Sequence, residues 1–234
     1  MGMSGMTSRE GRMRAGSLFS GIGGFDLGLE RAGFTISWQV EIDPYCQRVL
    51  AKHWPNVTRY GDITALDWST VPPVDLLCGG FPCQPFSTAS HGRRTAISLW
   101  PEMFRAIKSL RPTWVCVENV NGAARLVFPQ VEADLESIGY SVTPPLEIPA
   151  CAVGLDHWRP RYWLLAHTYA DGQPGLSEYE QVAQLPGCRS QLSGMGTANG
   201  LSSELDRLRG LGNAIVPQIA EALGRMILAS GRGA

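Results

Sequence analysis

Asp75-Leu76-Leu77-Cys78-Gly79-Gly80-Phe81-Pro82-Cys83-Gln84-Pro85-Phe86-Ser87 opens as an apolar run and ends among glycine, proline and serine. That order predicts a buried strand over Val74 to Cys78 delivering a cysteine to a loop. Pro82 and Pro85 fix φ on either side of Cys83 and keep the residues before them extended. Gly79 and Gly80 are expected to let the backbone leave the strand at angles closed to other residues. Taken alone, Cys83 also fits a small buried hydrophobe. A thiol that only fills a core, however, needs neither flanking proline nor the glycine pair.

Working outward, Ala15 to Phe19 reads as a strand, Ser20-Gly21-Ile22-Gly23-Gly24 as a glycine turn, and Phe25 to Ala32 as a helix closed by Gly33. Ile36 to Val40 predicts a second strand with Glu41 at its carboxyl end. Asp43-Pro44 then starts a helix through Lys52 as N-cap and first helical proline. Val57 to Tyr60 is a third strand, ahead of Gly61-Asp62-Ile63. Beyond the Cys83 loop come a helix (Leu99 to Leu110), a buried strand (Trp114 to Val117, ending in Glu118-Asn119) and a helix (Val127 to Ile138). Strands over Tyr140 to Ile148 and Tyr162 to Ala166 follow. The alternation predicts an α/β fold with a doubly wound, mostly parallel sheet. Ligands of such sheets bind beyond the carboxyl ends of the strands, where Gly21, Glu41, Asp62, Cys83 and Glu118 all fall.

The 234 residues carry 20 Lys and Arg against 21 Asp and Glu, and 44% are hydrophobic. This excludes a disordered chain and a surface coated in positive charge, while leaving room for a local basic cleft. No apolar run approaches a membrane span, and residues 1–14, with Arg9, Arg12 and Arg14, lack a signal-peptide core. A flexible N-terminal tail is expected there. Cys46, Cys78, Cys83, Cys116, Cys151 and Cys188 contain no C-x-x-C pair. That points away from a zinc ribbon or a thioredoxin-like site and toward a reduced, cytoplasmic setting with no metal.

In the dinucleotide fingerprint a third glycine would fall at Asp26. The departure argues against a pyrophosphate cofactor and suits a smaller adenosyl ligand. Glu41 is placed to accept from ribose hydroxyls and Asp62 from an adenine amino group, with Ile42 and Ile63 against the ring. Singly, each acid also fits a solvated loop carboxylate.

Gly-Gly-Phe-Pro-Cys-Gln-Pro-Phe-Ser resembles the catalytic loop of the DNA (cytosine-5) methyltransferases, and Leu18 to Phe25 resembles that family's S-adenosylmethionine motif. Val117-Glu118-Asn119-Val120 resembles its Glu-Asn-Val element, and His157-Trp158-Arg159-Pro160-Arg161 its Gln-x-Arg-x-Arg motif. Gly-Asn-Ala-Ile-Val-Pro-Gln, at 212–218, resembles its C-terminal motif. The likeness covers Leu18 to His167 and resumes at Leu211 to Gly224. It implies a Rossmann-like, S-adenosylmethionine-dependent methyltransferase fold acting on carbon 5 of cytosine in double-stranded DNA, through a covalent adduct on a flipped base.

On this resemblance Cys83 is the nucleophile and Glu118 supplies a proton or hydrogen bond to ring nitrogen 3. Arg161 binds the base carbonyl oxygen and orients Glu118, and Arg159 holds a DNA phosphate or the Cys83 loop. Phe19, Ser20, Gly21, Ile22, Gly23, Gly24, Glu41, Ile42, Asp62, Ile63, Pro82 and Leu99 would hold the cofactor. Asn213 and Ala214 would touch its methionine end. Gln84, Ser87, Arg93 and Arg94 would meet DNA. His157 stands where the family has Gln. Residues 168–209, rich in Gly, Ser and Gln, stand where family members insert a target-recognition domain. A shortened recognition segment is expected there, following a catalytic domain at 15–167. A helix within 210–234, from Ile215 to Leu228, would return to that domain. The alternatives are a non-catalytic cofactor-binding remnant, or a subunit that reads DNA through a homodimer or another partner.

Overall fold

The structure is a computed structural model and describes residues 12–84, 97–168 and 214–230. In chain order the first elements are β1 (Arg14–Leu18), α1 (Gly24–Ala32), β2 (Thr35–Val40), α2 (Pro44–His53), β3 (Thr58–Tyr60) and β4 (Leu76–Gly79). There follow β5 (Cys83–Gln84), β6 (Ile97–Ser98), α3 (Trp100–Leu110), β7 (Trp114–Asn119) and α4 (Asn121–Ser137). β8 (Tyr140–Val142), β9 (Leu146–Pro149), β10 (Pro160–Thr168) and α5 (Pro217–Ser230) complete the described chain.

The main sheet runs β3-β2-β1-β4-β7-β10-β8, with β9 also paired to β10. β3, β2, β1, β4 and β7 are parallel, and β10 is antiparallel to β7, β8 and β9. Strand order reverses between β1 and β4, the switch point of a doubly wound, Rossmann-like sheet.

Successive side chains of the central strands pack to opposite faces. Leu76, Cys78, Trp114, Cys116, Trp163 and Leu165 pack with α1 and α5. Leu77, Val115, Val117, Leu164 and Ala166 pack with α3 and α4. α1 and α5 approach almost backbone to backbone: a Cβ at Gly28 would lie 2.3 Å from the Pro217 carbonyl oxygen.

Local signals in the sequence work as read at several ends. The Asp43 carboxylate accepts from the N–H groups of Tyr45 and Cys46 at 2.8 and 3.0 Å, and Gly33 closes α1 at φ 115°. Other expectations move. Arg14 belongs to β1 and not to the tail, because its N–H donates to the Asp75 carboxylate at 2.6 Å. α4 begins at Asn121 and not at Val127, and it carries Pro129 inside it. The single strand expected over Tyr140 to Ile148 divides into β8 and β9 around Pro144-Pro145, which lack ladder donors. α5 starts at Pro217, two residues later than expected and at the position proline favours. Thr168 ends β10, while residues 169–209 lie outside the described residues.

Candidate active site

Strand register brings the expected residues to one level. Leu18 pairs with Val40 and Gly79, Val40 with Tyr60, and Gly79 with Val117. The segments carrying Phe19 to Gly24, Glu41, Asp62 and Gly80 to Cys83, and Glu118 near the end of β7, therefore meet at one sheet edge. β10 runs the other way, so its start, with Arg161, arrives at that same edge.

The glycine turn is built from left-handed residues. Phe19, Gly21 and Gly23 have φ of 51°, 55° and 91°. Phe19 is the costly member, since a non-glycine residue there stores strain. A Cβ at Gly23 would lie 2.4 Å from the Trp54 ring, whereas one at Gly21 would meet nothing within 4 Å. Gly21 therefore borders open space that a ligand can enter, and the half-buried Ile22 follows it. At Gly24 a Cβ would lie 2.4 Å from the Ile215 carbonyl oxygen, so this glycine makes room for the segment leading into α5.

Beneath the turn lies a buried polar group without an assigned role in the sequence reading. The Ser17 hydroxyl donates to Asp26 Oδ2 at 3.1 Å and Gln39 Nε2 donates to Oδ1 at 2.9 Å. The Ser20 hydroxyl lies 2.9 Å from that of Ser17. Burial pushes the Asp26 carboxyl up to about 6, against the lowering effect of its Gln39 and Ser17 hydrogen bonds.

The neighbouring acids are held by the backbone. Glu41 Oε2 accepts from the Gly21 N–H at 2.7 Å and Oε1 from the Asp43 N–H at 2.8 Å. Each oxygen retains acceptor capacity for a ligand hydroxyl. Asp62 is exposed, and its Oδ1 accepts from the N–H and hydroxyl of Thr64, both at 2.8 Å. Those bonds hold its carboxyl below the usual range. Ile42 is 67% exposed, but Ile63 is only 5% exposed and packs into the core. The expected pair of isoleucines against an adenine ring is thus reduced to one open apolar surface, Ile42.

Glu118 sits on the other half of the edge with its side chain 10% exposed, its Oε1 3.1 Å from Arg161 Nε. Burial raises its carboxyl to about 7, with Arg161 and Arg159 pulling the other way. Gly80 makes room for it: a Cβ there would lie 2.5 Å from Glu118 Oε2. A Cβ at Gly79 would lie 2.9 Å from the Leu18 carbonyl oxygen. Neither glycine has positive φ, so close approach and not an unusual exit angle requires both.

Asn119, to which the sequence reading gave no role, donates from Nδ2 to the Phe81 carbonyl at 3.1 Å. The Leu99 N–H donates to the Pro82 carbonyl at 3.2 Å. The backbone entering Cys83 is thus held at two successive carbonyls. Cys83 then pairs with Ser98 and Gln84 with Ile97 in a two-stranded ribbon that the sequence did not signal. The side chains of Cys83 and Gln84, and residues Ser87, Arg93, Arg94 and Asn213, lie outside the described residues. Arg159 Nη2 donates to the Ala214 carbonyl at 2.9 Å, joining the Glu118 half of the edge to the segment leading into α5. His157 is at the surface, 3.5 Å from the Asp156 carboxylate. Among the described residues no helix is long and apolar enough to cross a membrane, and no cluster of three or more His, Cys, Asp or Glu could hold a metal ion.

The family model described as C-5 cytosine-specific DNA methylase matches residues 13–180. Type II methyltransferase M2.BsuMI of Bacillus subtilis (strain 168) is 34% identical over 172 residues, covering 68% of this chain and 43% of that protein. Type II methyltransferase M.HgiCII of Herpetosiphon aurantiacus is 34% identical over 184 residues, covering 71% and 40% respectively. The crystal structure of the S. pombe Dnmt2 methyltransferase shares the fold with a TM-score of 0.60 at 20% identity, over 74% of this chain and 56% of that one. The chain therefore spans less than half the length of these two curated relatives.

Proposed function

Since this chain belongs to the C-5 cytosine-specific DNA methylase family, we propose that it transfers a methyl group from S-adenosylmethionine to carbon 5 of cytosine in double-stranded DNA. The observation that carries this reading is the buried Glu118–Arg161 pair, level with the open glycine turn and beside the backbone entering Cys83. A site with a poised carboxyl, a cradle and a cysteine loop on one edge has the parts that this chemistry needs.

The open space at Gly21, the acceptors of Glu41 and Asp62 and the exposed face of Ile42 fit an adenosyl-methionine ligand. Phe19 to Gly24, Glu41, Ile42, Asp62, the backbone at Ile63, Pro82, Leu99, Asn213 and Ala214 would hold it. When bound, S-adenosylmethionine supplies the methyl group as an electrophile.

The chain's own residues prepare the acceptor. Cys83, as thiolate, adds to carbon 6 of a cytosine flipped out of the duplex, and the ring electrons this releases make carbon 5 nucleophilic. Glu118 donates a proton or a strong hydrogen bond to ring nitrogen 3 while that charge develops. Arg161 orients Glu118 and donates to the base carbonyl oxygen. After transfer, the proton on carbon 5 passes to solvent, and the electron pair it leaves expels the Cys83 thiolate from carbon 6. Glu118 takes back any proton it gave to ring nitrogen 3, which restores the aromatic ring and the starting enzyme. Gln84, Ser87, Arg93 and Arg94 would meet DNA beside this base. Residues 168–209 would supply recognition, by themselves or with a second copy or another partner.

The test is transfer of tritiated methyl from S-adenosylmethionine to mixed-sequence DNA by the purified chain. Label on cytosine carbon 5 is expected, together with its loss in Cys83→Ser and no change in that variant's cofactor affinity. Transfer that persists in Cys83→Ser would overturn the mechanism, and label on another atom would overturn the activity.

A further inference from the structure

α3 starts where the Cys83 ribbon ends and, in its middle, reaches the turn that follows β3. From there Arg105 Nη2 donates to the Ile63 carbonyl at 2.7 Å and to that of Thr64 at 3.4 Å. Nη1 donates to the Leu66 carbonyl at 2.9 Å, and Nε to Glu102 at 2.9 Å. The turn itself, Ile63–Ala65, is a single 3₁₀ turn whose own bonds are poor. Ala65 N–H reaches the Asp62 carbonyl at 3.3 Å and Leu66 N–H reaches that of Ile63 at 3.4 Å. Both lie beyond the usual range of an N–H···O bond. The shorter, charge-assisted bonds from Arg105 to the Ile63 and Leu66 carbonyls, with the Asp62–Thr64 pair, therefore set the shape of the turn. Asp62, Thr64 and Ala65 are exposed, so the described packing holds this turn mainly through Ile63. At its other end, α3 is fixed to the cysteine loop by the bond from Leu99 N–H to the Pro82 carbonyl.

We infer that Arg105 is a positioning residue for the adenosyl ligand. It holds the turn that carries Asp62 in the shape that receives adenine, and it ties that turn to the helix leading out of the Cys83 ribbon. A guanidinium suits the task because its fork of donors serves several carbonyls at once, which an ammonium does not. The inference rests on the cofactor reading above, specifically on Asp62 facing the adenine.

The test is a double-mutant cycle on the full chain, read by calorimetric titration with S-adenosylhomocysteine. Asp62→Ala and Arg105→Met should each weaken binding by about tenfold, and the double variant should be no weaker than either. Arg105→Lys should stay weakened. Glu102→Gln should bind normally, since it removes the ion pair and leaves the carbonyl bonds. If Arg105→Met does not fold, Arg105→Lys takes its place in the cycle. Weakened binding in Asp62→Ala with normal binding in the Arg105 variant overturns the inference and leaves the cofactor reading intact. So do losses that simply multiply, which would mean that Arg105 acts elsewhere than through the turn. Normal binding in Asp62→Ala overturns the adenine reading, and the inference with it.

Discussion

Glu41 and Asp62 on one half of the sheet edge, and Glu118 on the other, are carboxylates near the ends of parallel strands, but their surroundings differ. The first two accept from backbone N–H groups, Glu41 from Gly21 and Asp43, and Asp62 from Thr64. Glu118 is buried, pressed against Gly80 and paired with Arg161. Backbone donors stabilise the ionised form and keep Asp62 low, whereas desolvation destabilises it and lifts Glu118 to about 7. Acceptors for ribose and adenine must stay ionised, and a donor to ring nitrogen 3 must be able to hold a proton. Under the proposed function, one sheet edge would serve both needs by changing exposure, not residue type.

The largest effect should come from the buried half. Glu118→Ala is expected to lower methyl transfer by roughly 10²–10⁴-fold, the span of general acid–base catalysis. Cofactor affinity, measured by calorimetry, should not change. On the proposed mechanism the protonated form is the active one, so transfer should fall as pH rises through about 7. Glu118→Gln keeps a hydrogen-bond donor that does not titrate. It should be slow and should lose that fall, as a pH series of initial rates would show. A fall that survives in Glu118→Gln would assign the titration to another group.

Glu41→Ala should do the reverse. Removing the proposed ribose acceptor should weaken S-adenosylmethionine by about 1.5–3 kcal/mol, the range for hydrogen bonds to charged groups. The loss belongs in KM, with kcat at saturating cofactor unchanged. A lowered kcat at saturation would show that Glu41 does more than bind, and the contrast between the halves would blur.

Much of this edge was legible because its residues follow strands, and a strand end can be read from an apolar run that stops at glycine or an acid. Glu41, Asp62 and Glu118 were found that way. The need for Gly80 was legible and its reason was not, because the Glu118 oxygen that excludes a side chain there belongs to a distant segment. Arg105 gave no signal for the same cause: its carbonyl partners lie 39 and more residues away. α4 was read from Val127, whereas the helix begins at Asn121 and carries Pro129 inside it. Asp26 was visible as a missing glycine, but helical spacing alone does not say which polar residue is turned toward the sheet.

Asp26 is also the residue that can break the comparison, because it is buried and raised like Glu118 yet lies beneath the cofactor half. If burial alone made a proton donor, it would be one. Its oxygens are instead occupied by Ser17 and Gln39 under the glycine turn, so its titration should appear in stability and not in chemistry. The sign follows from its carboxyl, which is near 3.8 when solvated and about 6 when folded. Between those values the folded chain holds a proton that the unfolded chain has lost. Stability should therefore fall as pH rises from about 4 to 6 and level off above. Glu118, raised from 4.5 to about 7, adds a slope of the same sign over an overlapping window. Asp26→Asn removes only the first of the two. With the Gln39 side-chain amide turned over, its Oε1, a buried acceptor with no hydrogen-bond partner, would face the new amide in place of Nε2 and accept from it. The exchange should therefore cost less than about 1 kcal/mol at pH 7. Urea unfolding across the pH series should show a shallower fall for Asp26→Asn, with methyl transfer above pH 7 unchanged. An equal fall in both chains would mean that Asp26 is ionised throughout, and loss of transfer would place it in the chemistry after all.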